Sequence, residues 1–199
     1  MKSLLDFPIA YRWFGKAIGG RRGRTIFVSE YLKPRVGDRI LDIGCGEASI
    51  LDYLPQVEYV GFDISPAYIA AATKHYGGRG RFYCRAVMPD TIDEIGTFDI
   101  ALANGVLHHL TDAESLDLFQ LAFRALKEKG RLVTFDGCYL PQQSPIARYL
   151  LKADRGKFVR TPEQYLAIAK KHFPVVNNAV RQDLLAIPYA HFIMECVKE

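Results

Sequence analysis

Arg39-Ile40-Leu41-Asp42-Ile43-Gly44-Cys45-Gly46-Glu47-Ala48 is the stretch on which the fold turns. Ile40, Leu41 and Ile43 make a short apolar run, the pattern of a strand buried on both faces. Gly44 and Gly46 let the backbone bend tightly and come close to a ligand. A helix is predicted next, with Ile50, Leu51 and Leu54 on its buried side. Strand, glycine bend and helix form the first unit of a ligand-binding α/β sheet. A dinucleotide fingerprint would place its third glycine at position 49, which is Ser49. Asp42 would face a pyrophosphate with like charge, so it suits a ligand that carries positive charge. Asp63 stands 21 residues later and closes a second apolar run, Tyr59-Val60-Gly61-Phe62. A carboxylate at that strand end can accept both hydroxyls of a ribose. Either acid alone would serve equally as a loop cap, whereas the two together around a glycine bend point to a site.

Further along, Phe98-Asp99-Ile100-Ala101-Leu102-Ala103-Asn104-Gly105-Val106-Leu107-His108-His109-Leu110 holds a fourth strand and its exit. Leu126-Lys127-Glu128-Lys129-Gly130-Arg131-Leu132-Val133 leads into a fifth. With Leu41 to Gly46 and Gly61-Phe62-Asp63, these pieces resemble the class I S-adenosylmethionine-dependent methyltransferases, in order and spacing, over about residues 36 to 138. The resemblance implies a Rossmann-like three-layer α/β sandwich. Its sheet would have seven mostly parallel strands, the last one antiparallel. It implies S-adenosyl-L-methionine as cofactor and S-adenosyl-L-homocysteine as product. Carried over by motif, the cofactor would touch Asp42, Gly44, Cys45, Gly46, Asp63, Ile64, Ala86, Val87, Asn104 and Gly105. Family members often hold the adenine amino group with an acid after the third strand. Here that stretch reads Arg85-Ala86-Val87-Met88-Pro89-Asp90, so backbone groups or Asp90 would have to replace it.

A chain of 199 residues, 49% hydrophobic, is read as one domain with one sizeable core. Residues 1–34 would form an N-terminal helical cap and 138–161 an acceptor-side insertion. No apolar run reaches the roughly 20 residues of a membrane span, and the N-terminus lacks a signal peptide's apolar centre. A cytoplasmic location is expected. Cys45, Cys84, Cys138 and Cys196 stand singly, without zinc or redox spacing. Cys45 reads as a small filler between glycines. The net charge of +4 is gathered in Arg12, Lys16, Arg21, Arg22, Arg24, Lys33 and Arg35, a solvated face or an attractor of anions.

The remaining segments alternate helix and strand. Phe7 to Ile18 reads as a helix; the resemblance implies that it lies over the cofactor, with Tyr11 or Trp13 reaching the site, and packing of these aromatics onto the sheet is the alternative. Gly19-Gly20-Arg21-Arg22-Gly23 should break it, and Thr25 to Leu32 should form a second helix, stopped by Pro34. Ser65-Pro66 opens a helix that runs to about Tyr76. Arg81 to Ala86 is a third strand. Thr111 and Glu114 make a capping box for a helix ended by Gly130, and Arg131 to Phe135 is the fifth strand. Residues 138 to 161 show little pattern. Thr161-Pro162-Glu163-Gln164 opens one more helix, followed by strands Val175 to Val180 and Phe192 to Val197. With no helix between those two, the last strand should run antiparallel.

Methyl transfer needs alignment and exclusion of water, and a base where the acceptor must lose a proton. His109, then His108, are the base candidates at the exit of the fourth strand, with Asp136 placed to orient a histidine. A purely structural histidine pair is the alternative. No metal is expected, because Gly105 stands where a further carboxylate ligand would be needed. Tyr139, Tyr149, Arg155 and Arg160 are expected to line an acceptor pocket, where two arginines and a lysine of the basic stretch (Lys152, Arg155, Lys157, Arg160) would favour an anionic small molecule; surface placement is the alternative. A nucleic-acid acceptor is disfavoured, because Asn104-Gly105-Val106-Leu107 lacks the Asn/Asp-Pro-Pro-aromatic motif of base-modifying relatives. A non-catalytic cofactor-binding module is the alternative from another class, and a homodimer is left open.

Overall fold

The computed structural model describes residues 20–153 and 156–199. The helix expected over Phe7 to Ile18, with Tyr11 and Trp13, lies outside them, as does Arg155. Strands β1 (Arg39–Ile43), β2 (Glu58–Asp63), β3 (Gly80–Cys84), β4 (Phe98–Asn104), β5 (Leu126–Gly137), β6 (Val175–Arg181) and β7 (His191–Val197) form one sheet. Their order is β3-β2-β1-β4-β5-β7-β6. β7 runs antiparallel to both β5 and β6, while the pairs from β3 to β5 are parallel. The chain order reverses between β1 and β4, so the crevice for a ligand opens at the carboxyl ends of those two strands.

Helices cover both faces. On one, α1 (Gly20–Ile26) and its π-helical continuation Phe27–Leu32 pack Phe27, Val28 and Leu32 against Ile40, Ile100, Leu102, Val133 and Ile193. On the other lie α3 (Pro89–Ile95), α4 (Asp112–Ala125) and α6 (Pro162–Ala169). There Leu118, Phe119, Ala122, Tyr165 and Ile168 meet Ala101, Leu132, Phe192 and Met194. Alternation sends Ile40 to the first face and Leu41 to the second, which is why β1 reads as a continuous apolar run. α2 (Pro66–Tyr76) starts where Ser65 accepts the Tyr68 N–H with proline at the first turn. α4 and α6 both open on complete capping boxes, Thr111 with Glu114 and Thr161 with Gln164.

Four expectations are corrected. Gly20 and Gly23 do not break a helix but belong to α1, and Gly23 lets the helix touch Leu184: a Cβ there would sit 2.5 Å from the Leu184 carbonyl oxygen. The helix after the glycine bend is only a 3-10 turn, Ser49–Tyr53. Pro55 forces Leu54 into the extended region (ψ 146°), and the turn stops there. α4 ends at Ala125 rather than at Gly130, because Leu126 already pairs with Phe98 as the start of β5. The chain then bulges through Lys129 (φ 62°) before Arg131 regains register with Ile100. Finally, α3 and α5 (Pro145–Ala153) stand where the sequence showed no helix pattern.

Candidate active site

The carboxyl ends of β1, β2 and β4 bring together most of the residues singled out in the sequence. Gly44 and Gly46 take positive φ, 76° and 54°, as a bend of this tightness requires. A Cβ on Gly44 would lie 2.6 Å from Val106 Cγ2, so the exit of β4 closes directly over the bend. A Cβ on Gly46 would meet nothing within 4 Å. That open space lies beside Asp63, whose carboxylate accepts the Gly46 N–H at 3.0 Å and the Ser65 N–H at 2.8 Å. Each oxygen keeps a second lone pair for a hydroxyl. Ile64 is 78% exposed beside it, and Met88 is also exposed, an apolar margin to the crevice. Asn104 and Gly105 end β4, and the Gly105 N–H donates to the Phe135 carbonyl at 2.8 Å. Beyond β3, Ala86 is exposed, whereas Val87 packs on the cluster of Leu41, Phe62 and Ile92.

Asp42 is the electrostatic centre of this cradle. It is 2% exposed, Oδ2 accepts a hydrogen bond from the Tyr59 hydroxyl, and Oδ1 has no hydrogen-bond partner. Burial pushes its carboxyl up to about 7; the Tyr59 hydrogen bond pulls it down and the charge of Asp63 raises it further. A buried carboxylate oxygen without a donor is costly unless a ligand supplies one. Cys45 is the filler its position suggested. Its sulfur occupies the room left by Gly61, where a Cβ would lie 2.8 Å from Sγ.

The histidine pair sits on a short 3-10 turn, Leu107–His109, after β4. His108 is buried, with Nδ1 2.8 Å from Asp136 Oδ1, and its own N–H reaches the same oxygen at 3.2 Å. His109 is exposed, and its ring lies 4.2 Å from that of His108 between centroids. A Cβ on Gly156 would overlap His108 Cδ2 at 2.1 Å, so only glycine lets that loop close on the ring.

Arg160 lines a groove together with Asp112, Lys157 and Gln164, but its guanidinium is committed to the fold. It is buried, and all five of its N–H groups are used: Nε and Nη2 on Asp112, Nη1 on the Leu107 and Phe158 carbonyls, Nη2 also on the Leu110 carbonyl. It ties residues 158–160 to the histidine turn. Tyr149 is 70% exposed on α5, while Tyr139 is half-buried with Arg148 over its ring. Tyr59, Gly156 and Arg160 matter to the site in ways the sequence did not disclose. Arg160 was singled out there for its charge, and Tyr59 left a trace as an aromatic two residues before a strand glycine.

A family model described as a methyltransferase domain matches residues 41–132. Juvenile hormone acid O-methyltransferase of Bombyx mori is 34% identical over 104 residues, 48% of this chain and 37% of its own length. The eEF1A lysine and N-terminal methyltransferase of Mus musculus is 31% identical over 170 residues, 76% of this chain and 24% of its own. Residues 41–132 form a methyltransferase domain of the S-adenosylmethionine-dependent class I family. The chain spans well under half the length of these two relatives. Haemonchus contortus phosphoethanolamine N-methyltransferase 2, solved with S-adenosylhomocysteine, shares the methyltransferase fold: TM-score 0.72 at 17% identity, over 96% of this chain and 56% of that one.

The cradle fits the methyltransferase cofactor on three counts: an unpartnered buried carboxylate oxygen for a cation, a carboxylate at the next strand end for a ribose, and open space at Gly46. The same packing sorts the thiols. Burial pushes Cys138 up to about 12 and raises Cys45 and Cys196 as well, whereas Cys84 at the end of β3 is exposed. Iodoacetamide at mildly alkaline pH should therefore modify Cys84 first. Peptide mass spectrometry that finds Cys45 labelled as quickly would contradict the buried bend.

Proposed function

We propose that the chain is an enzyme that transfers a methyl group from S-adenosyl-L-methionine to a small-molecule acceptor. The observation that carries this reading is Asp42, a buried acid with a free oxygen at the bend between β1 and the crevice. It would hold the ammonium of the cofactor's amino-acid end, beside Gly44, Cys45, Asn104 and Gly105. Asp63 would accept the ribose hydroxyls, with Ile64, Ala86 and Val87 flanking the adenine. When bound, the cofactor supplies an electrophilic methyl on a sulfonium, whose sulfur departs neutral and needs no acid.

The histidines divide the remaining work. Asp136 fixes His108 through its ring and its backbone, so His108 sets the shape of the turn. His109, exposed beside it, would take the acceptor's proton on a ring nitrogen as the new bond forms. The acceptor would lie on the side of residues 138–153 and 156–161. An anionic group on it has Lys152 and Lys157, both exposed, as partners, since Arg160 is committed to the fold.

The test pairs calorimetry with a cofactor-consumption screen over metabolite pools. Asp63→Ala should weaken S-adenosylhomocysteine at least about tenfold, the loss of charge-assisted hydrogen bonds worth about 1.5–3 kcal/mol. His109→Ala should leave that affinity intact and slow turnover about 100-fold. A folded wild-type protein that gives no heat with the product would sink the reading; full turnover by His109→Ala would remove only the base. A second reading, transfer to a protein amine, is supported by the breadth of the match to the Mus musculus relative. Proteins added to the same screen would reveal it.

A further inference from the structure

The side-chain room around Asp42 is arranged for one partner. In the β1–β2–β3 register, Ile40 pairs with Tyr59 and Tyr59 with Gly80, while Asp42 pairs with Gly61. Side chains paired in this way share a face of the sheet. Tyr59 therefore starts one row below Asp42, and its ring must run up the sheet to reach it. Two glycines clear the way. A Cβ on Gly80 would lie 3.0 Å from Tyr59 Cδ1, and one on Gly61 would lie 3.1 Å from Tyr59 Cε1. The ring is 1% exposed, and Phe82 lies against it with centroids 5.9 Å apart. At the top the hydroxyl meets Asp42 Oδ2, which leaves Oδ1 as the atom without a partner.

We propose that Tyr59 is a positioning residue for the cofactor site: it orients Asp42 so that Oδ1 meets the cofactor's ammonium, and by donating to the carboxylate it sets the pH above which the site accepts that cation. This rests on the cofactor reading given above. The groups that face Asp42 are Tyr59 on β2, Cys45 in the bend and Asp63 at the end of β2, with Tyr76 of α2 behind Tyr59. Asp63 disfavours a charge on Asp42 and the hydroxyl of Tyr59 favours one. Binding an ammonium next to a carboxyl that still holds its proton should expel that proton.

The experiment is calorimetry of S-adenosylhomocysteine in buffers of different ionisation enthalpy, which counts protons released on binding. The wild-type protein should release up to about one proton near pH 6 and close to none above about pH 8. Tyr59→Phe, which keeps the ring, should move that release curve upward by about one pH unit and weaken binding at neutral pH at least about tenfold. Asp42→Asn should release none. 5′-Methylthioadenosine, which lacks the ammonium, should bind the wild type without proton release. A Tyr59→Phe curve that overlays the wild type would overturn the proposal, as would release with 5′-methylthioadenosine. Absence of any binding by well-folded wild-type protein across the pH range would instead overturn the cofactor reading, and this proposal with it.

Discussion

Asp42→Asn is expected to make the protein more stable without ligand and to strip it of cofactor affinity. The wild-type carboxyl is pushed from 3.8 to about 7 by burial, so between those values the folded chain holds a proton that the unfolded chain has lost. Stability from this group is intact below about pH 4, declines as pH rises, and is gone above about pH 7. The cost above neutrality is on the order of 4 kcal/mol, at 1.36 kcal/mol per pH unit. Asparagine never pays it. Its carbonyl still accepts from Tyr59, but its amide brings buried donors that cost about 1–3 kcal/mol when unmet. The net gain at pH 8 should be about 2 kcal/mol, or roughly 4–8 °C in Tm for a chain of this size. Cofactor affinity should fall about 100-fold, the usual size of a lost buried charge pair. Thermal unfolding at pH 4 and pH 8 checks the sign: the advantage must be absent at the first and present at the second. A variant less stable than wild type at pH 8 would mean that burial does not penalise the ionised form of Asp42.

Arg160→Met should cost more than any other single change around the histidine turn. Methionine keeps the apolar stem near Tyr165, whose ring lies 5.6 Å from the guanidinium carbon. It takes a donor from the carbonyls of Leu107, Phe158 and Leu110, of which Leu107 keeps the Leu110 N–H, and Arg160 is 6% exposed. Unfolding free energy should drop by about 3–5 kcal/mol, as when one partner of a buried ionic network is removed. Tm should fall by about 10 °C. Arg160→Lys, with three donors in place of five, should fall between the two. Because the same bonds clamp the turn that carries His108 and His109, turnover should decline in Arg160→Lys even where the protein remains folded. A loss below about 1 kcal/mol in Arg160→Met would show that the turn does not depend on this clamp.

β1, β2 and β4 were legible because each is a short apolar run with a turn signal at its end. Asp42, Gly44, Gly46 and Asp63 were legible because a bend beside a strand edge needs those residue types. The capping boxes at Thr111 and Thr161 likewise mark both helix starts from sequence. What escaped has a common cause, which is dependence on contacts distant in the chain. Gly23 reads as a helix breaker until Leu184 is seen against it. Leu126 fits the apolar face of α4, yet pairing with Phe98 draws it into β5. α3 and α5 are short; Pro89 marks the start of the first, and Ser144-Pro145 the start of the second, where Ser144 Oγ accepts the Ala147 N–H at 3.2 Å. Arg160 looked like one more cation in a basic stretch, because nothing local shows that four backbone and side-chain acceptors converge on it from residues 107–112 and 158. The division of labour between His108 and His109 is also invisible locally, since it depends on Asp136, 28 residues away in sequence.

The brevity of the 3-10 turn Ser49–Tyr53 has an electrostatic outcome. A full helix at this place would aim the positive end of its macrodipole at the bend, the arrangement by which many α/β folds seat phosphate groups. Five residues of 3-10 turn align few peptide dipoles, so little positive field offsets the acid below. The mouth of the crevice is therefore biased toward cations and against pyrophosphates, which sets a sulfonium nucleoside apart from a nicotinamide dinucleotide by field as well as by shape.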